Sequence, residues 1–215
     1  MLREIGKPLE IAIEKEVEFF INGKVHRRFC TPNMLKELAV GFLVSEGIAS
    51  SLEDIKVEVH GDRIVAEVSG ASELNIPHSS KKFGNLRAKS HRKFNLDELK
   101  KSLEILEIEE YRKTRGYHVS AVVARENFYR AYDVGRHNAV DKAIGLALLN
   151  YADLENSFLL LSGRISKEIA VKCANAGIPL VVSKAAILSS AIEFCKETGL
   201  SAVSFATNIA IGDIE

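Results

Sequence analysis

Cysteine and tryptophan are scarce in this sequence, whose 215 residues include three cysteines and no tryptophan. The cysteines, at positions 30, 173 and 195, are odd in number and far apart, which excludes the disulfide framework of a small secreted domain. No apolar run approaches the ~18 residues of a membrane span, and the opening residues Met1-Leu2-Arg3-Glu4 lack the apolar stretch of a signal peptide. We therefore expect a cytoplasmic protein with no membrane partner.

An excess of charge of either sign is also missing, because 29 basic side chains balance 29 acidic ones. The chain as a whole therefore creates no field that would attract nucleic acid, and we expect no nucleic-acid partner. A local basic pocket remains compatible with this balance. Hydrophobic residues make up 47% of the sequence, which is ordinary for a globular protein with a substantial buried core.

Residues 1–75 are predicted to form a β-rich domain with one helix. Asn22-Gly23 is a strong hairpin signal between two strand-like runs. Thr31-Pro32 is typical of an N-cap followed by a first-turn proline, and apolar residues at helical spacing then continue as far as Gly47. The predicted strands of this domain are 9–21, 24–29, 55–59 and 63–68.

Residues 76–94 differ in composition from the rest, since they are basic, polar and without helical or strand periodicity. They are predicted to form a long loop or linker. Two interpretations remain open for this segment: a mobile surface loop, or a functional loop that closes over an anionic ligand.

Residues 95–215 show alternating strand and helix patterns, which predict parallel βαβ units in an α/β domain. Asn95 is the predicted N-cap of a helix that continues to about Glu110, and Ser166 caps a helix that Gly177 ends. The fold class predicted for the chain is therefore α/β. The remaining elements are strands at 117–124, 127–132, 158–161, 179–183 and 201–206, and helices at 138–149 and about 187–198.

The most distinctive segment is the ten residues from Asp133 to Lys142, between a predicted strand and a predicted helix. It combines Arg136, His137 and Asn138 with acidic residues, a mixture that a solvated turn does not require. A helix N-terminus presents free backbone N–H groups and the positive end of the helix dipole, which favours binding of an anion or a polar ring. A purely structural role, with Asn138 as an N-cap, remains the alternative.

Two further polar segments follow predicted strands, Ser162–Ser166 and Ser183-Lys184. Gly163 permits a tight turn, and Arg164 offers a planar guanidinium for a phosphate or carboxylate group. Ligands of open α/β sheets bind beyond the carboxyl ends of the strands. Together with the segment from Asp133, these junctions predict a pocket for an anionic ligand such as the pyrophosphate of a nucleotide.

The sequence does not predict a metal site. His118 opens a predicted strand and with His137 would place two imidazoles near one sheet edge, but no Cys-x-x-Cys pair or zinc-deaminase signature is present. The patterns around Cys173 and Cys195 are typical of small core residues. Packing is also favoured for Cys30, although basic residues precede it.

The segment from Asp133 to Lys142 resembles the central motif of the FdhD family, the formate dehydrogenase accessory proteins. The resemblance covers nearly the whole chain, in order and with matching spacing. The ten-residue motif together with Ser162–Ser166 is highly specific to that family. Further matching positions are Thr31-Pro32-Asn33, Ala39–Ile48, Gly116, His118, Glu168 and Ala176–Pro179.

This resemblance implies a cytidine-deaminase-like layered α/β domain over residues 95–215, a smaller N-terminal β-rich domain, and a homodimer. It also implies a carrier that takes sulfur from a cysteine desulfurase. The sulfur would pass to the molybdenum cofactor, as bis(molybdopterin guanine dinucleotide), before insertion into formate dehydrogenase. The ligand would be this cofactor or a guanine nucleotide. The predicted binding residues are His118, Asp133, Arg136, His137, Asn138, Ser162, Gly163, Arg164, Phe205, Ala206, Thr207, Asn208, Ile209 and Ala210.

Two features depart from the family pattern. The loop that carries a Cys-x-x-Cys pair in the family corresponds to about Pro77–Ser90, which has no cysteine, and the tail after the last strand lacks the expected arginine. No catalytic residue is therefore assigned. Three functions stay open: sulfur transfer to the cofactor, a chaperone that binds the cofactor without thiol chemistry, and a small-molecule enzyme that uses His118 and His137 as acid and base.

Overall fold

The computed structural model describes residues 6–69 and 93–215. Most of the predicted basic segment 76–94 therefore lies outside the described residues. In the two described ranges, no helix is long and apolar enough to cross a membrane. These ranges form two mixed β-sheets with helices packed against them.

The N-terminal sheet contains the strands β1 (Lys15–Ile21), β2 (Lys24–Cys30), β3 (Ile55–His60) and β4 (Arg63–Val68), in the order β2-β1-β4-β3. The pairs β1–β2 and β3–β4 are antiparallel hairpins, as predicted, while β1 and β4 pair in parallel. Helix α1 (Leu35–Ser45) covers one face of the sheet. Because successive strand side chains point to opposite faces, alternate residues such as Phe19 and Ile64 enter this core.

The start of α1 differs from the prediction. Thr31 does not cap this helix, which begins at Leu35 after Met34 in the left-handed conformation, with φ of 50°. The Thr31 N–H instead donates a hydrogen bond to Asp133 Oδ2 at 3.0 Å, and its Oγ1 accepts one from the Val134 N–H at 3.2 Å. Partners that are distant in sequence thus override a local capping signal.

The second sheet has six strands in the order β10-β9-β8-β7-β5-β6, numbered here along the chain. The prediction of parallel βαβ units is confirmed for the central strands β7 to β9, whereas β5, β6 and β10 are antiparallel to their neighbours. The predicted last strand ends early, at Ser204, and a turn then leads into β10, which was not predicted. The strands are β5 (His118–Ala124), β6 (Asn127–Asp133), β7 (Ser157–Leu161), β8 (Leu180–Ser183), β9 (Ser201–Ser204) and β10 (Ile209–Ile211).

Both faces of the second sheet are covered. Three helices pack on one face, and the segment from Phe94 to Ile108 packs on the other. The six-stranded sheet is therefore the middle of three layers; the more specific cytidine-deaminase-like layering stays a prediction. The helices are α2 (Leu96–Ser102), α3 (Glu109–Thr114) and, on the first face, α4 (Arg136–Leu149), α5 (Lys167–Asn175) and α6 (Ser189–Thr198).

The predicted continuous helix from Asn95 to about Glu110 is wrong in its second half. Asn95 caps α2 as predicted, because its side chain accepts the Asp97 N–H at 2.8 Å. The chain then passes through a 3₁₀ turn at Leu103–Leu106 and an extended link before α3 begins. This break lets both Leu106 and Ile108 bury their side chains against the sheet, with 1% and 5% exposed.

Helices α1 and α4 cross with their backbones in direct contact. A Cβ atom on Gly41 would lie 1.7 Å from the carbonyl oxygen of Asp141, and one on Gly145 would lie 1.9 Å from that of Glu37. Only glycine fits at either position. The crossing brings the N-terminal sheet and its helix against the segment from Asp133 to Lys142.

Candidate functional site

The predicted site residues collect at one edge of the second sheet. The parallel strands β7, β8 and β9 all end at this edge, and β5, which runs the opposite way, begins there. The pair Ser183–Ser204 lies in the row that passes through Leu161 to Ser120, and the pair His118–Asp133 lies two residues further out at the same edge. The structure thus brings together segments that the sequence placed only at separate strand ends.

Gly163 lies beside two arginines and a histidine at this edge. A Cβ atom on Gly163 would lie 3.4 Å from His118 Nδ1 and 3.6 Å from Arg136 Cβ. Burial lowers the pKa of His118, and the nearby positive charges of Arg136 and Arg164 lower it further. At neutral pH the imidazole is therefore neutral and able to donate or accept a hydrogen bond.

The two guanidinium groups of this cluster are available to a ligand. In residues 6–69 and 93–215, neither Arg136 nor Arg164 forms an ion pair with a carboxylate. Arg136 is the first residue of α4, and its Nε is buried without a hydrogen-bond partner in that part of the chain. A buried donor without a partner is costly, so this arrangement favours an anion that arrives from outside.

Asp133, in contrast, is engaged within the protein and is fully buried. Its Oδ1 accepts hydrogen bonds from the Gly135 N–H at 2.8 Å and from Asn138 Nδ2 at 3.1 Å. Its Oδ2 accepts the Thr31 N–H and, at 2.5 Å, Lys142 Nζ. The carboxylate therefore fixes the turn before α4 and fastens that turn to the N-terminal unit.

Asn138 acts in the same way. It is 7% exposed, and its Nδ2 also donates to the carbonyl oxygen of Phe29 at 2.9 Å. It lies inside the first turn of α4 and is not the N-cap, which is Gly135. Asn138 thus connects the end of β2 to the first turn of α4.

A second buried ionic network lies one turn along α4. The fully buried Asp141 accepts hydrogen bonds at Oδ1 from Ser45 Oγ at 2.6 Å and from Lys172 Nζ at 2.8 Å. Lys172 also lies 2.5 Å from Glu46 Oε1. This network connects α1, α4 and α5, so its first role is structural.

His137 lies close to the network around Asp141 as well as to the residues around Gly163. Its Nε2 lies 3.1 Å from Oε2 of Glu168, at the start of α5. Burial lowers the pKa of His137, and the positive charges of Lys172 and Arg136 add to that effect. His118 and His137 therefore have largely different charged neighbours.

The predicted binding residues 205–210 form the turn between β9 and β10 and the start of β10. The Phe205 N–H donates to the carbonyl oxygen of Ser183 at 3.0 Å, and Thr207 Oγ1 donates to Ser204 Oγ at 2.7 Å. Asn208 takes the left-handed conformation, with φ of 52°, before Ile209 and Ala210 enter β10. The turn therefore lies beside the loop after β8, at the same sheet edge as the other predicted residues.

A cavity of about 230 Å³ opens next to His118 and Ser162. The sequence predicted His118 and Lys184 near a sheet edge but gave no indication of Tyr111 in this cavity. A tyrosine on a short helix gives no signal in a single sequence. The lining residues are Leu106, Tyr111, Arg115, Gly116, Tyr117, His118, Val119, Ser162 and Lys184.

The three cysteines are all buried, so the chain presents no thiol at its surface. Burial raises the pKa of Cys30 to about 11, with a further contribution from Asp133, and raises that of Cys195 to about 11. The pKa of Cys173 is also raised by its burial. A thiolate is the reactive form of cysteine, and these environments suppress it. In the described ranges, no group of three or more His, Cys, Asp or Glu side chains is arranged to hold a metal ion.

The fold is similar to that of a known class of protein, the formate dehydrogenase accessory proteins. A crystal structure described as that of such a protein from Desulfotalea psychrophila superposes with a TM-score of 0.77 and 26% identity, covering 91% of this chain and 84% of that chain. The FdhD/NarQ family model matches residues 12–211. This chain belongs to the FdhD/NarQ family, which confirms the resemblance found in its sequence.

Relatives in that family are similar over most of their length. The sulfur carrier protein FdhD of Methanothermobacter thermautotrophicus is 32% identical, over 92% of this chain and 86% of its own length. The protein FdhD of Methanocaldococcus jannaschii is 30% identical, over 92% and 85%. The sulfur carrier protein FdhD of Wolinella succinogenes is 30% identical, over 95% and 80%.

Proposed function

We propose that this chain binds the guanine nucleotide part of bis(molybdopterin guanine dinucleotide), the cargo form of the molybdenum cofactor, and presents it for insertion into a formate dehydrogenase. The observation that carries the proposal is the group of His118, Arg136 and Arg164 around Gly163. In the described ranges, the two guanidinium groups have no carboxylate partners, and they lie beside the N-terminus of α4. This arrangement suits a pyrophosphate.

The predicted binding residues divide into two roles under this proposal. Arg136, Arg164 and His118 contact the phosphates, with Ser162 and the absent side chain of Gly163 leaving room for close approach. Asp133 and Asn138 position the turn that carries Arg136, because their polar atoms are already bonded within the protein. The turn 205–210 lies beside the loop after β8 at the same sheet edge, and His137 follows Arg136 in α4.

We further propose that the chain handles the cofactor as a chaperone, without sulfur bound to a cysteine of its own. Formation of a persulfide requires a thiolate that can reach the donor's sulfur atom. Cys30, Cys173 and Cys195 are at most 1% exposed, and the pKa of each is raised by burial. The cysteine-free segment that corresponds to the family's Cys-x-x-Cys loop supports the same conclusion.

Sulfur transfer is the second candidate, because relatives of this chain are named sulfur carrier proteins. It requires one of the buried thiols, and Cys30 lies closest to the charged groups of the motif, including Asp133 and Lys142. Incubation with a cysteine desulfurase and isotopically labelled cysteine tests it by mass spectrometry. A labelled persulfide that passes to a cofactor acceptor would establish sulfur transfer, whereas unmodified thiols alongside intact nucleotide binding would support the chaperone. The homodimer and the desulfurase partner stay predictions.

Nucleotide binding is tested by titration calorimetry with guanosine diphosphate. The Arg136→Ala and Arg164→Ala variants should each weaken binding by about 1.5–3 kcal/mol, the contribution of a hydrogen bond to a charged group. Arg27→Ala is the matched control, because Arg27 is an exposed arginine of the N-terminal sheet that pairs with Glu18. Equal affinity in the wild type and both site variants would remove these arginines from the binding site.

A further inference from the structure

Strand β2 lies at one edge of the N-terminal sheet, and in the described ranges only β1 pairs with it. A two-residue turn at Asn22-Gly23 joins these strands, with φ of 45° and 80°. In such a hairpin the pair that flanks the turn, here Ile21 and Lys24, exchanges backbone hydrogen bonds, and bonded pairs then alternate with non-bonded pairs. The backbone N–H and C=O groups of every second residue of β2, from Val25 onward, therefore point away from β1.

One of these outward groups already has a partner. The carbonyl oxygen of Phe29 accepts a hydrogen bond from Asn138 Nδ2 at 2.9 Å, which agrees with the direction derived from the turn. The N–H and C=O groups of Val25 and Arg27 and the N–H group of Phe29 have no hydrogen-bond partner within residues 6–69 and 93–215. A strand edge with free backbone groups is a template for a further extended segment.

The side chains of the outward residues lie on the face of the sheet opposite α1, because the alternate residues of β2 face that helix. Val25 is 50% exposed and Phe29 is 60% exposed, on either side of Arg27. Phe20 of β1 lies opposite Val25, and Val65 of β4 lies beside Phe20, so an apolar row crosses the sheet and ends at this edge. A strand added next to β2 would extend that row.

The charge of β2 indicates the kind of segment that fits this edge. Four of its seven residues are basic and none is acidic; the basic residues are Lys24, His26, Arg27 and Arg28. Lys24 forms no ion pair in the part of the chain that the structure describes, and Arg27 stays 63% exposed in its pair with Glu18. Acidic side chains on an added strand would therefore gain favourable charge pairs along β2.

A second copy of β2 fits this edge badly. Antiparallel pairing of two such strands about Arg27 would place the two Arg27 side chains directly opposite each other, where like charges are destabilising. The other edge strand of the sheet, β3, differs in charge, since its Lys56 is balanced by Glu58. Strand β3 is therefore the reference edge against which any charge preference of β2 can be measured.

We propose that β2 is a docking edge for an extended acidic segment of a partner protein, which adds to the N-terminal sheet as a further strand. Backbone hydrogen bonds to Val25, Arg27 and Phe29 hold this segment. Its apolar side chains pack beside Val25 and Phe29, and its acidic side chains pair with Lys24 and Arg27. The inference concerns the N-terminal sheet alone and does not depend on the proposed function.

Hydrogen–deuterium exchange, measured by NMR at single amides, tests the proposal. The probe is a short, capped peptide of alternating valine and glutamate, and a valine–lysine peptide of the same length is its control. The acidic peptide should slow exchange of the Val25 and Arg27 amides by about tenfold or more, because both become hydrogen-bonded. The amides of His26 and Arg28 bond to β1 and should exchange slowly with or without peptide, and that of Val57 on β3 should not respond.

A proline variant tests the backbone contact separately from the side chains. Val25→Pro removes one outward N–H group without breaking a bond to β1, and proline is tolerated on an edge strand where its nitrogen faces solvent. It should bind the acidic peptide about threefold to tenfold more weakly than Val25→Ala, which keeps the N–H group. Slow exchange at His26 and Arg28 reports that the hairpin of the variant is folded; if it is not, exchange in the wild type decides.

Protection of the Val25 and Arg27 amides by the acidic peptide alone would support the docking edge. Exchange that stays fast with the acidic peptide, equal protection by the lysine peptide, or equal protection of β3 would overturn it. Protection that appears without peptide and grows with protein concentration would identify a second copy of the chain as the occupant, and would overturn the acidic partner.

Discussion

The charged residues of the segment from Asp133 to Lys142 divide into two sets by burial. Asp133, Asp141 and Lys142 are completely buried and bind other parts of the protein. Arg136 and His137 are partly exposed at the sheet edge. A single motif therefore serves both to fasten the N-terminal unit and to present cations, which explains why it contains so many ionisable groups in ten residues.

The buried pair of Asp133 and Lys142 should be essential for stability. Burial lowers the pKa of Lys142, and the charge of Asp133 together with its hydrogen bond opposes that effect. Asp133→Asn removes that carboxylate charge and leaves the ammonium group without its partner, so the free energy of unfolding should fall by about 3–5 kcal/mol in urea titrations. Lys113→Met, which breaks an exposed pair with Glu109, should leave it nearly unchanged. Equal effects of the two variants would show that the buried pair has no special role.

The two histidines of the site should make stability depend on pH. The pKa values of His118 and His137 are lower in the folded chain than the ordinary value of 6.5, mainly because both rings are partly buried. Protonation therefore favours the unfolded chain, and the stability supplied by the neutral rings is fully present above pH 6.5. It should be lost progressively as the pH falls from about 6.5 through the lower folded-state values.

This loss is measured as the decrease in melting temperature between pH 7.5 and pH 5.5. A His118→Gln/His137→Gln double variant should show a clearly smaller decrease than the wild type. His60→Gln is the control, because His60 is an exposed histidine on β3. A decrease of the same size in the double variant would assign the pH dependence to other groups.

At the scale of elements, local sequence signals succeeded where the chain has only local partners. Asn95 and Ser166 cap their helices through their own side chains, and Gly199 ends α6 with φ of 77°. The prediction failed at Thr31, whose capping groups bond with residues far along the chain. It also failed after Ser102, where two apolar side chains must reach one sheet face. In both cases, tertiary contacts decided the local conformation.

The crossing of α1 and α4 provides a test of such tertiary control. In an ordinary helix, alanine is favoured over glycine by about 1 kcal/mol. At Gly145 a Cβ atom would overlap the carbonyl oxygen of Glu37, so the helices would have to separate. Gly145→Ala should therefore lower the free energy of unfolding, by about 1–3 kcal/mol.

Denaturant unfolding measures this change. Glu193→Ala is the control, because it introduces alanine at an exposed position of α6 where the new side chain overlaps no other atoms. A stabilised Gly145→Ala protein would mean that α1 and α4 are not packed as closely as the structure places them.

At the scale of the whole molecule, the sequence predicted the position of the candidate site better than it predicted which side chains form it. The strand ends followed by Arg136, Arg164 and Lys184 predicted a group of cations at one sheet edge, and the strand order places these strand ends at the same edge. The inward orientation of Asp133 could not be predicted, because it depends on α1 crossing α4. The tyrosine-lined cavity depends on the break between α2 and α3, which no local pattern indicates.

Because the net charge of the chain is zero, the proposed ligand binding would depend on the local charges of this edge. Guanosine diphosphate at about a hundred times its dissociation constant should stabilise the folded chain by about 2.7 kcal/mol. Part of that affinity comes from charge pairing at the protein surface. Salt at 1 M shortens the screening length to about 3 Å, so it should reduce the stabilisation. Melting curves with and without the nucleotide, at low and high salt, measure both effects. The Arg136→Ala/Arg164→Ala double variant should show little stabilisation at either salt concentration; stabilisation equal to that of the wild type would place the nucleotide elsewhere on the molecule.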